Sequence, residues 1–394
     1  MKETKFKNTE IGRIPEEWET CTILSQSNKL VVAFVGTCEK YYTNKGEGVM
    51  MLRTGDLKER SIDYTNIKYI SYSFHNANKK SQLKKGDILI ARHGSNGHGV
   101  IYDKNDEANS LNFVIVHLID NEYLNSYLVY CLDTNIVREQ IEAATAGSTQ
   151  KVINTKAIGE LIVPKPNILE QQRIASALTS IDNLISSLGK LIEKKKNIKQ
   201  GTMQQLLTGQ IRLKGFSEPW GEKKLEEVCS VKRGVRVVKR NLTTDGLYPV
   251  YQNTNFPLGY SNQYNVEANT PFVIIGGSAG QVGICRERYW AADDCAFFAC
   301  HDIYKEYLYY VLLLNQSNIL HNVKTGTIPR LDRSFLSNMV VYISSNIDEQ
   351  QAIATILTKM DDEITALEAK RAKYEAIKQG MMQQLLTGKI RLIS

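Results

Sequence analysis

Apolar residues recur at alternating steps of four and three along two stretches of this chain. The first carries Ile174, Leu178, Ile181, Ile185, Leu188 and Ile192; the second carries Ile353, Leu357, Met360, Ile364, Leu367 and Tyr374. That spacing lines one stripe of a helix and predicts a coiled-coil seam. Elsewhere the pattern shifts to short β-branched runs bounded by turn residues, at Val31 to Val35, Gly86 to Ala91 and Phe113 to Ile119, then at Pro271 to Gly277 and Met339 to Ile343. These predict strands. Helical stretches, Glu122 to Leu132 and Ile303 to Leu314, lie among them. The pattern as a whole predicts an α+β chain, with two mixed α/β domains separated by two long helices.

The two helical stretches are copies of one another. Asn167 to Leu213 aligns without gaps on Asn346 to Leu392 with about 27 of 47 positions identical, a duplication rather than chance. Both copies open with EQQ and end with MQQLLTG. Gly201 and Gly380 are expected to interrupt the helices before a short MQQLL segment, which Gly209 and Gly388 stop. Lys194, Lys195 and Lys196, with Lys370, Arg371 and Lys373, then fall toward helix C-terminal ends, where cations suit the dipole. They read as a solvated face or as a DNA contact. From Glu170 to about Gln200 such a helix extends about 45 Å, somewhat more than one turn of duplex DNA. A seam this short needs a partner. Pairing the two copies gives an antiparallel intramolecular coiled coil with a pseudo-two-fold axis; the alternative is a coil between chains.

The boundaries that follow are a first domain at 1–166, a central helical region at 167–213, a second domain at 214–345 and a closing helical region at 346–394. The two domains echo each other faintly: Trp18 answers Trp220, Gly94-Ser95 answers Gly277-Ser278, and Gly147-Ser148 with Lys151-Val152 answers Gly326-Thr327 with Arg330-Leu331.

Composition narrows the function. The 394 residues are 42% hydrophobic and 23% charged, as in a folded soluble chain, with a formal charge of +7 and pI near 8.8 that suit a polyanionic partner without requiring one. Seven scattered cysteines with no CxxC pair indicate neither a disulfide framework nor a zinc site and fit a reducing cytoplasm. The opening MKETKFKNTEIG lacks the apolar stretch of a signal peptide, and no run is long enough for a membrane span, so a cytoplasmic location without membrane contact is expected. GGSAGQVG, Gly276 to Gly283, lacks the ending of a phosphate-binding loop and reads as a tight turn. The six histidines are scattered without ligand spacing. The expectation is a chain with no catalytic residues, no metal and no cofactor.

The repeated motifs EQQxIA (Glu170 to Ala175; Glu349 to Ala354) and KQGxMQQLLTGxIRL (Lys199 to Leu213; Lys378 to Leu392) resemble the specificity subunits of type I restriction-modification systems. So, more weakly, do IGRIPEEWE, MLRTGDL, KKGDILIARHGS and YPVYQNTNFPLGY. The resemblance covers essentially the whole chain. It implies a non-catalytic subunit whose two target-recognition domains each read half of a split, asymmetric target in double-stranded DNA. It further implies two docked adenine methyltransferase subunits, which translocase-nuclease subunits can join.

Base reading needs Arg, Lys, Asn, Gln, Ser or Thr presented from loops, and phosphate contacts need cations. In the first domain the candidates are Arg53, Thr54, Arg92, His93, Ser95, Asn96, Ser148, Thr149, Gln150 and Lys151. In the second, Lys232, Arg233, Arg236, Lys239 and Arg240 form a dense cationic run suited to phosphates, and Gln252, Asn253, Thr254, Ser278, Gln281, Thr327 and Arg330 suit base edges. Each also reads as ordinary exposed loop. A coiled-coil adaptor with two protein-binding domains is the competing function; steep loss of affinity with salt would mark the DNA reader.

Overall fold

The computed structural model describes residues 4–58, 60–93, 97–120, 122–145, 152–238, 240 and 242–393. They divide into two compact units, one of Met1–Ser187 with Arg371–Ser394 and one of Leu188–Lys370.

In the first unit a four-stranded antiparallel sheet runs in the order Gly99–Ile101, Ile88–Ala91, Phe113–Leu118, Ser27–Val32. Alternation along the strands feeds two cores. Ile88, Ile90, Val114 and Val116 face a core shared with the helix Asn125–Cys131, while Leu89, Ala91, Phe113 and Ile115 face a second sheet through Met50, Leu52 and Ala108. Burial on both faces is why these strands read as continuous apolar runs. The first predicted strand lies four residues earlier than Val31 to Val35, at Ser27–Val32, because pairing with Phe113–Leu118 sets its span.

The second unit repeats the plan. Its four-stranded sheet runs Val282–Ile284, Pro271–Ile274, Cys295–Cys300, Cys229–Arg233, the same order in the same antiparallel sense. Val273, Ala296 and Phe298 meet the helix Lys305–Leu314, and Phe272, Ile274 and Cys295 meet the core of a three-stranded sheet. Each unit also has a two-stranded ribbon beside the start of a long helix: Glu19–Thr22 with Ile162–Lys165, and Trp220–Lys224 with Val340–Ser344.

The central helix is Ile168–Leu207 and the closing helix Ile347–Leu385. Both run straight through Gly201 and Gly380, correcting the expected interruption. A mid-helix glycine costs about 1 kcal/mol, and burial of Leu206, Leu207, Met382, Leu385 and Leu386 outweighs it. Each helix ends instead where Gly209 and Gly388 take φ of +69° and +67°. The basic clusters are therefore inside the helices rather than at their ends. Lys195 and Lys196 pair with Glu363 and Glu368, and Arg371 pairs with Glu375.

Within each unit the two helices pack antiparallel. In the first, Ile174 and Leu178 meet Met382, Leu385 and Leu386; in the second, Leu206 and Leu207 meet Ile353, Ala354 and Leu357. The partner that the seam requires is the second copy. No helix among the described residues is long and apolar enough to cross a membrane.

Candidate nucleic-acid interface

In the second unit, strand ends and loops bring several of the candidate readers to one place. The edge strand Cys229–Arg233 delivers Arg233, whose Nε donates to the Asp293 carbonyl at 2.8 Å. Gln252 Nε2 donates to Asp293 Oδ1 at 3.5 Å, and Ser278 N donates to the Asn253 carbonyl at 2.9 Å. A hairpin closed by Lys324 and Arg330 pairs with Gly276, and Arg330 Nη1 lies 3.4 Å from Asp294 Oδ1. Arg233, Gln252, Asn253, Ser278 and Arg330 thus surround the Asp293-Asp294 turn. Thr327 sits exposed at the hairpin tip, and Thr254 holds the backbone of Phe256 through its hydroxyl. Gln281 differs from the rest, its Oε1 being buried.

Lys232, Arg236 and Arg240 are exposed and have no ion-pair partner among the described residues, so their positive field faces solvent. Lys239 lies outside the described residues.

The first unit repeats part of this geometry. Ile153 N donates to the Arg92 carbonyl, as Leu331 N donates to that of Ile275, so in both units the loop after the central strand is bonded to the loop before a short capped helix. Asn154 and Asp332 are those caps. Arg92 Nε is turned back onto the Ile153 carbonyl, and His93 is exposed. Ser95, Asn96, Ser148, Thr149, Gln150 and Lys151 lie outside the described residues. Arg53 and Thr54 follow the strand Val49–Leu52: Arg53 chelates Asp56 and reaches the Asn66 carbonyl, and Thr54 opens the intervening turn half-buried.

The repeated motifs themselves build something the sequence reading did not assign. Glu170 is buried and accepts from Trp18 Nε1 at 3.0 Å and from Arg391 Nε and Nη2 at 2.7 and 2.8 Å. Glu349 is buried and accepts from Trp220 Nε1 at 2.9 Å, from Arg212 Nε and Nη2 at 2.7 and 3.0 Å, and from Ser344 Oγ. Burial pushes the Glu349 carboxyl upward, but those bonds prevail and hold it below the usual carboxylate range. Hydrogen bonding to Glu170 and Glu349 likewise raises the basicity of Arg391 and Arg212. The neighbouring glutamine caps a domain helix in each unit: Gln171 Oε1 accepts from Leu124 N, and Gln350 Oε1 from Tyr304 N. About three turns further along each long helix, Tyr130 and Tyr310 donate to Asp182 and Asp361, which Lys378 and Lys199 also approach. The signal for all of this was the survival of the same Trp, Glu, Gln and Arg in both copies.

The family model for the type I restriction modification DNA specificity domain matches residues 15–200 and again 217–379. A Methanocaldococcus jannaschii protein assigned as the MjaX specificity subunit of a type I restriction enzyme is 26% identical over 430 residues, spanning 99% of this chain and 98% of that protein. The MjaVIII type I restriction enzyme specificity subunit of the same organism is 28% identical over 218 residues, 54% of this chain and 50% of its own length. Among solved structures, the S subunit of a type I restriction-modification system from M. genitalium superposes with a TM-score of 0.69 at 19% identity, covering 93% of this chain and 96% of that one. That likeness is one of fold. The two family matches together cover most of the sequence, one for each structural repeat, and the chain belongs to the DNA specificity family of type I restriction modification systems, whose members recognise target DNA and are not themselves catalytic.

Proposed function

We propose that each unit reads one half of a split, asymmetric duplex target, and that the two long helices set the length of the unread spacer between the halves. The observation that carries this is duplication with divergence: one chain builds the same loop pair twice on the same sheet order, but with different side chains. Lys232, Arg233, Arg236 and Arg240, with Lys239, would neutralise phosphates, an attraction that weakens steeply with salt. Gln252, Asn253, Thr254, Ser278, Thr327 and Arg330 would read base edges in the second unit, without Gln281, whose Oε1 is buried. Arg53, Thr54, Arg92, His93, Ser95, Asn96, Ser148, Thr149, Gln150 and Lys151 would do so in the first.

The partners in this reading are two copies of an adenine methyltransferase, with translocase-nuclease subunits as an addition, and the place of work is the cytoplasm. Support for two identical partners comes from apolar residues left exposed on the long helices and just beyond their ends. Ile198 and Ile377 are 45% and 40% exposed, and Ile211 and Ile390 are 49% and 52% exposed, at matching positions of the two copies. Gly201 and Gly380, three residues on from Ile198 and Ile377, are exposed too, and a Cβ on either would meet open space. Their exposure at matching positions of both copies argues for the same external surface docking on each.

The test is a map of methyladenine in cells carrying the partner methyltransferase, with this chain present, absent, or carrying a foreign domain in place of 215–345. A split motif that needs the chain, and that changes in one half on exchange, is the expected result. No chain-dependent methylation from an assembled complex would favour the protein-binding adaptor instead.

A further inference from the structure

We infer that Arg330 is a guanine reader of the second unit and that Asp294 is its positioning residue, an assignment that rests on the DNA-reading function proposed above. Lys324 and Arg330 close a hairpin by exchanging both backbone hydrogen bonds, at 2.8 and 3.1 Å. Thr325 through Pro329 form its tip and are all exposed, Ile328 by 57%. The base of the hairpin is fixed to the sheet: Gly277 N donates to the Pro329 carbonyl and Leu331 N to that of Ile275, on either side of a bridge between Gly276 and Arg330. A two-stranded ribbon of this size fits the major groove, and Arg330 stands at its root.

The Arg330 side chain is 58% exposed and that of Asp294 21%. An ion pair so exposed adds little to stability. Its geometry suits recognition better. With Nη1 turned to Asp294 Oδ1, the Nε and Nη2 edge of the guanidinium is left for two parallel bonds to guanine O6 and N7. Holding a long side chain in place beforehand lowers the entropy lost on binding. Gly276 supports the same arrangement. A Cβ there would fall 2.4 Å from Asp294 Oδ1 and 2.7 Å from its Cγ, so only glycine leaves the carboxylate its place.

The experiment measures binding of the full chain, assembled with its methyltransferase, to duplexes changed one base pair at a time across the second half-site. Arg330→Ala, Asp294→Asn and Gly276→Ala should each relax discrimination at the same single G·C pair, the first by roughly ten- to a hundred-fold, with the first half-site read as before. Arg330→Lys should recover charge but not discrimination. Unchanged discrimination in Arg330→Ala and Asp294→Asn, or relaxation at different positions, would overturn the assignment. So would equal weakening on every duplex that Arg330→Lys restores, which would mark a phosphate contact. A wild-type complex with no preference for any duplex would instead remove the DNA-reading function on which the assignment rests.

Discussion

Glu349 gathers an indole N–H, a guanidinium fork and a serine hydroxyl onto one buried carboxylate. Glu349→Gln keeps the volume but removes the charge, and should cost about 1–3 kcal/mol, read as a lower urea midpoint at an unchanged slope. The pH dependence has a definite sign. The folded carboxyl titrates below its unfolded value, so its stabilisation is complete above the unfolded pKa and is lost as pH falls through the folded one. Acid unfolding curves of wild type and Glu349→Gln should therefore converge below about pH 4. Contacts such as Trp220 to Glu349 join residues 129 apart in sequence, beyond the reach of any local pattern. Arg53 shows the opposite case. The carboxylate that occupies it, Asp56, lies three residues on and was readable as a close ion pair.

At the scale of elements, the heptad stripes announced both helices and the β-branched runs announced the central strands, because both patterns record burial directly. What they did not reveal was helix length. Gly201 and Gly380 look like stops, but the apolar residues beyond them are anchored by packing that local propensity does not register. With open space around both glycines, Gly201→Ala and Gly380→Ala should each stabilise the free chain by about 0.5–1 kcal/mol, measured by urea unfolding. If that surface seats the methyltransferase, the same substitutions should weaken assembly, measured by calorimetry. A more stable chain that assembles less well would identify the glycines as contact positions.

For the whole molecule, adding two helical turns to both long helices at once should lengthen the unread spacer of the methylated motif while leaving both half-sites unchanged, as methyladenine mapping would show. An unaltered spacer would disprove the ruler. The crossed pairing of Arg391 with Glu170 and of Arg212 with Glu349 has a consequence for ancestry. A polypeptide ending after Leu213 keeps Trp18, Glu170 and Arg212, which are all the parts of one junction, but in the full chain its arginine serves the other repeat. Two such half-length polypeptides could close each other's junctions reciprocally, and the pair, being symmetric, should direct methylation to a palindrome. Fusing two genes of that kind would have freed each half to drift, exchanging one inverted repeat for a large repertoire of asymmetric addresses.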